Sequence, residues 1–126
     1  MTRSRSMPGL AALTMQGVVI ISAVEAATSF RRRLFGLLGH RPIGPHRALY
    51  LAPCRAVHTW FMRFPLDLVF LNQDLCVVRI VRDVQPWRVV PGGRAARSVV
   101  ELQSGWLPAD ALKPGDAVAV TPVSCP

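Results

Sequence analysis

The segment from Cys54 to Asp67 gathers most of the side chains in this sequence whose types and spacing could do chemistry: Cys54, His58, Trp60, Met62, Arg63 and Asp67. In an extended strand successive side chains face opposite ways, so His58, Trp60 and Met62 share one side of Val57 to Met62, and Val57, Thr59 and Phe61 share the other. With the second trio buried, the first presents an imidazole, an indole and a thioether in a row, a face suited to contacting a ligand. With the first trio buried, all three are packing residues and His58 is a hydrogen-bonded core histidine. Stripes of this kind are more often core than site, and packing is the preferred reading. Asp67 is the sole charge in Leu66 to Leu71 and needs a partner. Arg63, across the Pro65 bend, could pair with it structurally, or backbone N–H groups could be capped by the carboxylate. The functional alternative has Arg63 anchoring an anionic ligand that Asp67 orients. His58, Trp60, Met62, Arg63 and Asp67 are therefore the candidate ligand-binding residues.

Catalytic chemistry has weaker support. A nucleophilic Cys54–His58 pair needs thiol and imidazole in hydrogen-bond reach, yet residues four apart in an extended chain lie over ~10 Å from one another. Asp67 and Glu101 would offer paired carboxylates for acid–base work, but nothing in their spacing brings them together. His40, His46, Cys54 and His58 could in principle hold zinc, although their spacings of six, eight and four match no compact knuckle. Phosphate-cradling, dinucleotide-binding, HExxH and GxSxG patterns are absent from the sequence. No catalytic residue, metal or other cofactor is assigned. The favoured reading is a non-catalytic domain that binds a small molecule or a protein through a groove near residues 54–67. An enzyme using Cys54 with His58, or Asp67 with Glu101, is the alternative.

Composition bounds these readings. A chain of 126 residues with 51% hydrophobic and 17% charged residues can bury one core without disulfides or metal. The net charge of +8 favours anionic partners, and Trp60, Trp87 and Trp106 could stack on bases if exposed, so nucleic acid is a second alternative. All but one of the fifteen cations are arginine in a chain rich in Ala, Gly, Pro and Val, so coding bias explains part of the excess. The one run, Arg31-Arg32-Arg33, would point about 100° apart per residue on a helix. Three cysteines without close pairing suit free thiols in a reducing cytoplasm. Arg3 and Arg5 before the uncharged stretch Ser6 to Val24 resemble an export signal with a Val24-Glu25-Ala26 cleavage pattern. Pro8, Thr14, Gln16 and Ser22 interrupt it, and no run of 18 strongly apolar residues supports a membrane span.

The positioning elements follow from periodicity. Gly17 to Ala23 is a β-branched run of strand length, and Glu25 to Leu38 places Phe30, Leu34, Leu37 and Leu38 on one side of a helix ending at Gly39. Strands are expected at Arg47 to Ala52, Val57 to Met62, Leu66 to Leu71, Leu75 to Val84, Pro86 to Val90, Arg97 to Leu102 and Ala117 to Thr121, with a hairpin at Asn72-Gln73-Asp74. Ser104 to Leu112 is expected to form one or two helical turns, weakened by Gly105 and Pro108. The resulting fold class is α+β: a compact, mostly antiparallel sheet or small barrel with one principal and one short helix. Residues 1–14 are expected to be a tail, and 15–126 one β-rich domain.

Three blocks carry a family resemblance: RRLFGLLGH at Arg32 to His40, PCRAVHTWFMRFPLDLVFL at Pro53 to Leu71, and VVELQSGWLPADALKPGDAV at Val99 to Val118. They resemble the "domain of unknown function 192" family, over roughly residues 17–121. The central block, an aromatic residue, Met, a base and then Leu-Asp before a hydrophobic strand, is the most specific. Met62-Arg63-Phe64-Pro65 reaches Leu66-Asp67 without the Asn-Thr insertion of many members, as in a shorter branch. The resemblance implies a β-rich domain with one principal helix and a bacterial source, and it brings no reaction or ligand.

Overall fold

Leu66 to Leu71 lies between Pro65 and Asn72, and all six residues are buried. A strand buried on both faces must run through the middle of a layered structure. In the computed structural model, which describes residues 10–15, 18–26, 47–60 and 62–122, this segment is β5. The other strands are β1 (Leu10–Met15), β2 (Val18–Ala26), β3 (Arg47–Leu51), β4 (Ala56–His58), β6 (Val77–Val84), β7 (Val89–Pro91), β8 (Ser98–Gln103) and β9 (Ala119–Pro122).

Seven strands form one sheet in the order β6-β5-β8-β3-β2-β1-β9, and β4 pairs with β7 in a separate two-stranded ribbon. All pairings are antiparallel except β2 with β3. The β5–β6 hairpin forms at the expected turn, where Asn72 Oδ1 accepts the N–H groups of Asp74 at 2.8 Å and Cys76 at 2.9 Å. The large sheet curls until its edges meet. Cys76 bridges Ala117, Val77 N donates to Asp116 O at 2.7 Å, and Gly115 N donates to Val77 O at 2.7 Å. This joins the start of β6 to the segment leading into β9, as in a barrel.

Alternation along the strands divides the apolar residues between two faces. Leu13, Val24, Ala48, Val69, Leu71, Val100 and Leu102 fill one side with Leu107, Leu112 and Val118. Leu49, Leu51, Leu66, Leu68, Phe70 and Val99 line the other, where Val57 and Val90 of the ribbon pack on them. Gly92 at the ribbon's exit is required by this layering, because a Cβ there would collide with the Phe70 ring and the Ala96 Cβ.

The α+β expectation is corrected: among the described residues the fold is all-β, without a helix. Glu25 and Ala26, expected to open the principal helix, end β2 instead. Residues 27–38 of that expected helix lie outside the described residues. The expected short helix at 104–112 is a series of turns, with isolated bonds from Trp106 N to Gln103 O and from Ala111 N to Pro108 O. Gly105, at φ 96, and Pro108 deny it a continuous ladder. β1 occupies Leu10–Met15, mostly within the stretch 1–14 expected as a tail, and it pairs with both β2 and β9.

Candidate recognition surface

The ribbon pairs Val57 with Val90 and His58 with Val89. Val57 and Val90 are buried, so the period-two rule turns His58 and Val89 outward, and Val89 is 61% exposed. Beyond this pair the ribbon is held by Thr59, which is fully buried. Its N–H donates to Arg88 O at 2.8 Å, and its carbonyl accepts the backbone N–H of Trp87 at 2.9 Å. Its hydroxyl donates to Gln85 O at 2.7 Å and accepts Arg88 N–H at 2.9 Å. One side chain thus clamps the 85–88 turn against the end of β4. Trp60 follows the clamp residue and Trp87 lies in the clamped turn, 48% and 57% exposed. The Trp60 and His58 rings lie with centroids 5.2 Å apart at 41°. Trp87 has φ 65, a left-handed conformation uncommon for a bulky residue.

The predicted site residues separate in this geometry. Val57 and Thr59 are inside and Trp60 is outside, against the preferred packing reading of the alternation. The strand ends at His58, and Met62, whose N–H turns back to Thr59 O, enters the core at 5% exposure. Phe61 lies outside the described residues. Arg63 is exposed on the loop.

Asp67 caps backbone N–H groups, the second of the two structural expectations, and its nearby cation is Arg82 rather than Arg63. β5 and β6 shift register between Leu66↔Val84 and Leu68↔Val81, which sets Arg82 and Asp83 together opposite Asp67. In this bulge Asp83 takes φ 56, its N–H donates to Asp67 Oδ1 at 2.8 Å, and Arg82 Nη1 lies 3.6 Å from Asp67 Oδ2. Gly105 N–H donates to Asp67 Oδ2 at 3.2 Å. Arg82 donates in turn to the carbonyls of Leu107, Pro108 and Ala109. The buried carboxylate fastens β5, the β6 bulge and the turn after β8 together.

The carboxylate pair does not assemble. In the β5–β8 register Asp67 faces Leu102, and Leu68 faces Glu101. Cross-strand partners share a face and neighbours alternate, so the Asp67 and Glu101 carboxyls project from opposite faces of the sheet. Glu101 is wholly buried, and neither oxygen has a hydrogen-bond partner among the described residues. Burial raises its pKa to about 8. The Cys54 thiol donates to Ala56 O at 3.1 Å, and burial pushes its pKa up, the reverse of what activates a nucleophile. Of the four zinc candidates, His40 and His46 lie outside the described residues.

Residues 11–120 match the DUF192 family, described as "Uncharacterized ACR". The chain belongs to that family. Two archaeal relatives of this DUF192 chain, both UPF0127 proteins, come from Pyrococcus abyssi and Pyrococcus furiosus. The first is 29% identical over 100 residues, 75% of this chain and 83% of the relative; the second is 30% identical over 106, covering 80% and 89%. Archaeal relatives thus stand beside the bacterial source expected for this chain, which they do not establish. Two solved structures share the DUF192 chain's fold, each with a TM-score of 0.70. One is a protein of unknown function from Novosphingobium aromaticivorans, 20% identical, covering 87% of this chain and 83% of that one. The other is from Sinorhizobium meliloti and is described as a candidate transcription regulator, 19% identical, covering 89% and 92%. No helix among the described residues is long and apolar enough to cross a membrane.

Sequence reasoning named Trp87 for base stacking, yet it missed that Trp87 and Val89 join His58 and Trp60. The join depends on a pairing about thirty residues apart in sequence, for which the isolated Thr59 offers no recognisable signal. Arg82 escaped for a similar reason: only the bulge aims it at Asp67.

Proposed function

We propose that this protein is a non-catalytic binding domain that presents the outer face of the β4–β7 ribbon to its partner. The observation that carries the reading is the exposure of Trp60, Trp87 and Val89 beside His58 on a ribbon whose end is held by the Thr59 hydrogen bonds. Large exposed apolar groups gathered in one place mark interaction surfaces, and a surface already fixed loses little entropy on binding. Arg63 stands on the adjoining loop. Met62 supports the surface from the core, and Asp67, on the opposite face of β5, stands apart from it. The enzyme reading has less behind it, since Asp67 and Glu101 diverge and the Cys54 thiol bonds a carbonyl.

The indole N–H signals of the three tryptophans, followed by NMR during titration with small aromatic fragments, test this. Trp60 and Trp87 should shift together while Trp106 stays in place. Fragments that move Trp106 alone, or none of the three, would remove the support for this surface.

A further inference from the structure

We infer that the β4–β7 ribbon binds single-stranded nucleic acid, its two exposed indoles stacking on bases while surrounding arginines take the phosphates. This rests on the recognition surface proposed above and names its partner.

The flat groups come first. Trp60 lies two residues past His58 and Trp87 two residues before Val89, and His58 and Val89 are register partners. The Trp87 N–H bond to Thr59 O keeps the two segments together, so both indoles stand at one end of the ribbon. Every base has a π face, so such a pair can accept successive bases without demanding a sequence.

Charge then selects among flat partners. Residues 55–66 and 84–100, which build the ribbon and its flanking loops, contain no Asp or Glu and carry Arg55, Arg63, Arg88, Arg94 and Arg97. All five are exposed. Of the acids that border these segments Asp67 and Glu101 are buried, and the exposed Asp83, which accepts from Ser104 Oγ at 3.2 Å, is one carboxylate against five cations. A second copy of the chain would bring the same cations against them, and an uncharged sugar would leave them unused. An acidic peptide matches the charge but need not supply planar groups at both indoles. A nucleotide strand supplies planes and regularly spaced anions together.

The test is fluorescence anisotropy of the full chain with a labelled oligothymidylate of about a dozen nucleotides, a span within the usual site range. Polyglutamate of similar length is the competitor, and salt is varied from about 50 to about 200 mM. Binding should weaken steeply with salt, and polyglutamate should compete poorly. Trp60→Ala and Trp87→Ala should each weaken binding about 5- to 100-fold. Arg88→Ala should lower the magnitude of the log–log salt slope by about 0.7. Trp106→Phe should bind as the parent does, and unchanged thermal midpoints will show that the variants fold. Polyglutamate binding as tightly as the oligonucleotide would overturn the inference in favour of an acidic protein. No oligonucleotide binding at low salt, with fragments still shifting Trp60 and Trp87, would overturn this inference and leave the recognition surface standing. Oligonucleotide binding unaffected by either tryptophan substitution would place the contact elsewhere and overturn it too.

Discussion

A carboxyl group enclosed on β8 among apolar neighbours loses its water without gaining a donor, so its neutral form is favoured in the folded protein. For Glu101 the folded pKa is raised by burial to about 8, against an ordinary value of 4.5. Between those values the unfolded chain releases a proton that the folded protein keeps, so stability falls as pH rises. The stability contribution is complete below the unfolded value and is lost as pH climbs through about 8. Glu101→Gln keeps the shape and cannot ionise. Urea unfolding at intervals from acid to alkaline pH should show the parent losing on the order of a few kcal/mol across this window, at up to about 1.4 kcal/mol per pH unit. The variant should match it in acid and stay flat. Parallel profiles for the two proteins would mean that Glu101 reaches water or a donor.

Asp67 acts between elements, because its three contacts reach the bulge of β6 and the turn after β8. Removing its charge leaves Arg82 without its anion and weakens two N–H acceptances. Asp67→Asn should therefore destabilise by about 2–4 kcal/mol in chemical unfolding, whereas Arg63→Ala should stay within about 0.5 kcal/mol. Equal effects would restore the Arg63 pairing expected from sequence. The elements themselves were legible where their signal is local. β5 matches its expected span, since an apolar run between a proline and a turn has few alternatives, and the Asn72 turn joins it to β6 as anticipated. The strand expected at Val57 to Met62 stops at His58, because Thr59, still on the buried side, spends its hydrogen bonds on the 85–88 turn rather than on a continuing ladder. Gly105 and Pro108, expected to weaken the helical turns at 104–112, leave only isolated turns there, and β1 falls mostly within the stretch read as a tail. At the candidate surface His58 and Trp60 could be read together, but Trp87, named only as a stacking residue, and Val89 could not be placed beside them, because tertiary pairing brings them there.

At the scale of the whole molecule, the curled sheet is closed by a few bonds rather than a full ladder. Val77 N–H and Gly115 N–H each bond across the closure at 2.7 Å, and Val118 N–H donates to Leu75 O at 2.9 Å. If these bonds open only when the whole sheet does, the amides of Val77 and Val118 should exchange with solvent hydrogen as slowly as those at the centres of β5 and β8. Exchange several orders of magnitude faster would show the seam opening by itself, leaving β6 an ordinary sheet edge.

The left-handed backbone at Trp87 has a consequence for what this chain gives up. Such a conformation disfavours any residue with a β-carbon by roughly 1–2 kcal/mol, and glycine alone would rest there without protest. A polypeptide shaped for endurance and nothing else would carry glycine at that bend. This one carries a solvent-exposed aromatic ring there instead, and is a little less stable for it.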